Sequence, residues 1–286
     1  MRISPADVLG SLLRPAPPPP KRPQPIACAA ANRLRVLQTV AMHGHLCSAD
    51  IAQACWPAMT CALRMAQRTV RALVKSGELK DRANSLGGLS YVLTRRGVAT
   101  LEVRGIAARH GLNLASVSGP TFSHFALTSR WCLHKQSEGY QAFSEYAIVS
   151  GLAPVTRAQL LHRFKKMPDA VLIMGQKIWL CETEASPKAM QKLVSICALA
   201  EHVGRKVHPD LPYVLAGVFI VFNAEQNHGV RIAKAAHERW WRYSASEEAA
   251  LMARITLSRV SLDLPLVWRG CVDAPLRLQD KHRAPV

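Results

Sequence analysis

The residues best suited to chemistry are a few carboxylates in the middle of the chain. Asp169 follows Pro168 and heads one apolar run, while Glu182 and Glu184 close the next. Read as neighbouring strands, Ala170–Met174 and Lys177–Glu182 present Asp169 and Glu182 at a common end. Oxygen ligands placed this way suit Mg²⁺ or Mn²⁺, which would activate water for attack on a phosphodiester. Lys188 and Lys192, on a helix predicted over Lys188–Val203, would stabilise the developing charge. The same carboxylates equally suit caps and surface ion pairs. His43, His45 and Cys47 alternate as ligand types, but no second pair stands at zinc spacing. The 8 cysteines contain no CxxC and read as free, mostly buried thiols.

The elements that must position these residues follow a mixed order. An amphipathic helix over Thr121–Ser137 carries Phe122, Phe125, Leu127, Trp131 and Leu133, with His124 read as a packed or hydrogen-bonded residue. Three strands, the Lys188–Val203 helix and an apolar strand over Tyr213–Phe222 come next, then helices from about Gly229. That pattern predicts an α/β (α+β) domain with a small mixed sheet over 119–227, followed by a helical extension over 228–286. On that extension, Trp240 and Trp241 suit base stacking, core packing or a partner subunit.

The first third of the chain reads differently. With 37 Lys+Arg against 19 Asp+Glu the net charge is +18, and residues 1–110 alone hold 16 basic and 5 acidic residues. Such an excess points to an anionic partner. Residues 1–30 include a proline-rich run, Arg14–Pro25, expected as an extended flexible tether. Over 31–110 the pattern predicts a helix from Asn32 to the Gly44 turn, a second helix capped by Ser48, a third over Thr60–Lys75, and a hairpin of Glu78–Arg82 with Ser90–Leu93. Thr94 is the expected cap of a fourth helix. Three helices and a hairpin describe a winged helix-turn-helix, whose third helix enters the major groove of double-stranded DNA. Arg64, Arg68, Arg71 and Lys75 recur at helical spacing as one cationic stripe on that helix. Arg82 on the hairpin and Arg95 and Arg96 after it complete the candidate DNA contacts. A domain boundary is expected in the small, polar stretch Gly111–Pro120.

At Pro168-Asp169 and Glu182-Thr183-Glu184 the chain resembles the PD-(D/E)xK nuclease superfamily. Position 184 holds Glu where that pattern has Lys, so the resemblance implies a lysine displaced to 188 or 192. The whole layout also resembles the plasmid replication-relaxation family, which joins a winged helix to a nuclease-like domain. The matching pieces are Tyr91-Val92-Leu93-Thr94-Arg95-Arg96-Gly97, His124, Phe143-Ser144-Glu145, Pro168-Asp169-Ala170 and Cys181-Glu182-Thr183-Glu184, spread over about 32–225. The resemblance implies a role in replication, DNA relaxation or mobilisation of a plasmid or integrative element. Glu145, Asp169, Glu182 and Glu184 are then its candidate site.

Three functions fit this reading: a DNA-binding protein of a mobile element, a metal-dependent endonuclease targeted by its winged helix, and a transcriptional regulator whose second domain dimerises or senses a ligand. Candidate partners are double-stranded DNA, a second copy of the chain, and replication or mobilisation proteins. A membrane is not among them, because the apolar, uncharged stretch Leu211–Ala224 has 14 residues where a spanning helix needs about 20. With no signal-peptide pattern in Met1–Arg14, a cytoplasmic location is expected.

Overall fold

The architecture follows from where apolar residues run continuously and where they alternate. In the computed structural model, residues 25–185, 189–225, 228–263 and 267–277 are described. The chain is a mixed α+β fold of helices, a two-stranded hairpin and a six-stranded mixed sheet. The expected tether over 1–30 lies almost wholly outside the described residues. Its last residues instead open helix α1 (Pro25–His43), seven residues earlier than the Asn32 start that was expected. Proline is tolerated at a first helical position, and the alanines that follow favour the helix.

Helices α2 (Ser48–Cys55) and α3 (Ala62–Lys75) follow, then β1 (Leu79–Ala83) antiparallel to β2 (Leu89–Leu93), then α4 (Arg95–Glu102). They share a core that includes Val36, Leu37, Ile51, Val70, Leu73, Leu79 and Leu101. Asn84 ties the hairpin tip by accepting from Leu86 N–H (3.0 Å) and Gly88 N–H (3.1 Å). Thr94 caps α4 as expected, its hydroxyl accepting from Gly97 N–H at 3.1 Å. Ser48 does not cap α2. The capping position is Cys47, because Asp50 reaches back and accepts from Cys47 N–H at 3.0 Å.

The second part begins with α5 (Gly119–Ser137) and β3 (Gln141–Ser144). The expected strand over Tyr140–Val149 stops at Ser144, whose hydroxyl caps a short helix, α6 (Glu145–Val149), through Ala147 N–H. After α7 (Arg157–Phe164) come β4 (Ala170–Met174) and β5 (Lys177–Glu184). The helix expected over Lys188–Val203 is split into α8 (Met190–Cys197) and a 3-10 turn, Ala198–His202. Strand β6 (Val214–Asn223) leads to α9 (His228–Trp240), α10 (Ala245–Met252), β7 (Ile255–Asp263) and β8 (Val267–Pro275).

The sheet order is β3-β4-β5-β6-β7-β8, with β5, β6 and β7 parallel and the outer pairs antiparallel. Val218, Ile220 and Phe222 of β6 pack with α8, α9 and α10 on one face. Phe219 and Val221 pack with Leu127 and Trp131 of α5 on the other. A strand covered on both sides loses alternation and becomes a solid apolar run.

The C-terminal residues correct the expected helical extension. Two helices are present, but β7 and β8 complete the sheet, and β8 supplies Asp273 to the buried Lys135 ammonium of α5 at 2.6 Å. Leu257, Val260 and Leu262 are buried in the two cores, so this strand pair belongs to the sheet's own hydrophobic packing.

The stretch Gly111–Pro120, expected as a boundary, is a tight junction. Gly111 N–H donates to Leu93 O (3.1 Å) and Leu112 N–H to Gly44 O (3.0 Å). A Cβ at Gly111 would lie 2.5 Å from Val92 Cβ and 2.7 Å from Gly44 O, so only glycine fits. Arg130 of α5 then crosses to α2, its Nε donating to Asp50 Oδ1 at 2.7 Å with both side chains 9% exposed. Burial disfavours the guanidinium charge, but the Asp50 carboxylate more than offsets this and leaves the Arg130 pKa above its usual value.

Replacing Arg130 with Met strands the Asp50 carboxylate in the interior. The expected loss is about 3–5 kcal/mol of unfolding free energy. Equilibrium urea unfolding measures it, and a loss near zero would show that the pair does not hold the two parts together.

Candidate functional site

The carboxylates converge where α5, α6 and the ends of β4 and β5 meet. The β4–β5 ladder continues past its last strand pair, with Asp169 N–H donating to Cys181 O at 2.9 Å, so Asp169 stands across from Glu182. Asp169 Oδ2 accepts from Thr183 N–H at 2.7 Å, and Asp169 Oδ1 lies 3.1 Å from His124 Nε2. Thr128, one turn along α5 from His124, donates its hydroxyl to Thr183 Oγ1 at 2.9 Å and so locks α5 over this strand end. Glu145 N–H donates to Asp169 O at 2.7 Å, which brings the first turn of α6 to the same place.

Glu145 is held protonated more readily than an ordinary carboxyl. Burial raises its pKa first and the Asp169 charge raises it further, while His124, Arg157 and Lys166 pull the other way. A cavity of about 210 Å³ opens here, lined by His43, His124, Thr128, Glu145, Tyr146 and Asp169 among others. His43 comes from the end of α1, so both parts of the chain build this cavity. Burial lowers the His43 pKa to about 4, leaving the imidazole neutral near pH 7.

The basic group at the strand end is Lys166, from the segment after α7. Its ammonium bonds the Glu182 carboxylate, which is fully buried. Lys192 is exposed on α8, and Lys188 lies outside the described residues. Glu184 is fully buried at the end of β5. Lys166 carries no signal in the sequence pattern, because the ExK motif places its lysine after Glu182. His124 is hydrogen-bonded as expected, but its partner Asp169 lies on another element and carries no signal within the helix.

The carboxylates expected to hold Mg²⁺ or Mn²⁺ are engaged with protein groups. Asp169 has both oxygens engaged, Glu182 bonds Lys166, and among the described residues no three His, Cys, Asp or Glu side chains form a metal-binding group. What these residues form is a carboxyl whose pKa is raised, Glu145, an Asp169–His124 contact and a Lys166–Glu182 pair at one strand end.

The second candidate surface is α3. Ala66, Thr69, Val70 and Leu73 are buried, while Arg64, Arg68, Arg71 and Lys75 are all exposed. Arg82 of β1 is half-buried, and Arg95 and Arg96 are exposed on the first turn of α4. Trp240 is buried and its indole N–H bonds Glu201 at 2.9 Å, whereas Trp241 is exposed with Arg242 stacked on its ring.

Carboxyl ¹³C NMR will place the Glu145 titration midpoint above 4.5. The fold favours the protonated form, so that stabilisation is complete below 4.5 and lost as pH rises through the raised value. Asp169→Asn shifts the midpoint down and Lys166→Gln shifts it up, while a midpoint indifferent to both would separate Glu145 from the cluster. No protein-family model, curated protein or solved structure matches the chain.

Proposed function

We propose that the chain is a double-stranded DNA-binding protein that reads duplex through a winged helix-turn-helix formed by residues 31–110. The observation that carries this reading is α3, which buries one face in the core and exposes Arg64, Arg68, Arg71 and Lys75 on the other. Each cation on such an exposed helix face can neutralise a phosphate and release counterions on binding. The β1–β2 hairpin then acts as the wing. By the resemblance of the sequence, the setting is replication, relaxation or mobilisation of a plasmid or integrative element, with a second copy of the chain or replication proteins as further partners.

A second reading, a nuclease-like endonuclease domain, is favoured by one observation: Glu145, Asp169, His124 and Lys166 gather at one strand end. That grouping supports proton transfer at a phosphodiester. A plain regulator without catalysis keeps the first reading and drops the second.

The binding test is a salt titration of affinity for duplex DNA. Arg64→Glu with Arg68→Glu should weaken binding and lower the log–log salt slope by about 2, one for each phosphate contact. An unchanged slope sinks the assignment of α3. The enzyme test is cleavage of supercoiled DNA with Mg²⁺ or Mn²⁺. Cleavage lost in Asp169→Ala and Glu145→Gln supports the second reading, and cleavage absent or insensitive to both removes it.

A further inference from the structure

Between the hairpin and α5 lies a cavity of about 680 Å³, distinct from the carboxylate cavity. It is built from both parts of the chain: α2 and the hairpin on one side, α5 and Trp268 of β8 on the other. Its volume lies in the range of small-molecule sites, which are mostly apolar with a few placed polar groups. Here the planar side chains are His45, Tyr91, Phe122 and Trp268, with the His45 and Phe122 ring centroids 5.0 Å apart.

Two buried polar groups on this cavity lack hydrogen-bond partners. Arg130 donates through Nε to Asp50 and through Nη2 to Cys47 Sγ, but its Nη1 has no partner although the residue is only 7% exposed. His45 is 2% exposed and neither ring nitrogen is bonded. Buried donors without partners are costly and uncommon, and a bound ligand is one way to satisfy them.

We propose that this cavity binds a nucleobase, an uncharged planar heterocycle stacked among the aromatic side chains, with the buried Arg130 Nη1 and His45 ring nitrogens turning outward to meet its polar edge. The charge balance selects against a phosphate or carboxylate ligand. Arg130 is already neutralised by Asp50, and an added anion would be desolvated with no free cation to meet it. Burial lowers the His45 pKa to about 4, with Asp50 opposing and Arg130 reinforcing the shift, so the ring near pH 7 is neutral and offers one donor and one acceptor. A nucleobase edge presents the complementary acceptor and donor. The base comes either from a free nucleoside or from a strand held against the neighbouring hairpin.

The test uses the full chain and two probes. Saturation-transfer NMR with adenosine, guanosine, cytidine and thymidine, each alone, reads free nucleosides. The fluorescence of 2-aminopurine placed in a DNA duplex reads a base taken from the stack. Two variants accompany both probes: Arg130→Lys keeps a cation opposite Asp50 but removes the fork, and Gln53→Trp fills the cavity from α2 while leaving the ion pair intact. The expected result is binding in at least one arm, weakened at least tenfold by Gln53→Trp and by Arg130→Lys, and not competed by inorganic phosphate. A signal in the first arm assigns the source to free nucleosides, and one in the second to DNA. No binding at millimolar nucleoside and no 2-aminopurine change, binding indifferent to Gln53→Trp, or displacement by phosphate overturns the proposal. Because the nucleoside arm contains no DNA, its outcome is separate from the role of α3.

Discussion

The Asp50–Arg130 pair is the contact on which the arrangement of the chain depends. Asp50 belongs to α2 of the helical part and Arg130 to α5, which lies across the sheet, so one ion pair joins two hydrophobic cores. Asp50 does two jobs at once, because its second oxygen holds the Cys47 N–H that starts α2. A buried charge pair contributes little net energy, yet either charge alone is expensive in the interior. The pair therefore specifies how the two parts sit more than it stabilises them. Gly44 and Gly111 reinforce this, since backbone and the Tyr146 ring pack against them where a Cβ would collide.

That docking decides the electrostatics of both cavities. It carries His43 to the carboxylate end of the sheet and His45 to the opening beside the hairpin, each buried deeply enough to stay neutral near pH 7. At the carboxylate end, burial and the Asp169 charge push the Glu145 proton affinity up, and Lys166 and Arg157 limit the rise. The outcome is that Glu145 holds its proton more tightly than an ordinary carboxyl beside the Asp169 carboxyl group.

Much of the local structure was legible in the residues. The alternation and turn chemistry around Asn84–Gly88 mark the hairpin, the apolar spacing of Ala66, Val70 and Leu73 marks α3, and the solid run of β6 marks a strand covered on both faces. Ser144 ends β3 because a serine hydroxyl can cap a helix as well as continue a strand, and a window of apolar residues does not decide between them. Strand β7 carries its own apolar alternation, Ile255 and Leu257 then Val260 and Leu262, within a segment expected to be helical, and only its partners β6 and β8 are distant or unmarked in the sequence.

The sequence by itself determined the cationic face of α3, the Asp169 and Glu182 strand-end carboxylates and the apolar central strands, because each is a periodicity within one element. Only the tertiary structure decided which lysine meets Glu182, that His124 meets Asp169, and that the junction at Gly111 is packed. Those contacts join residues separated by tens of positions. Side chains at such separation meet only when several elements dock together, and no local spacing encodes that meeting.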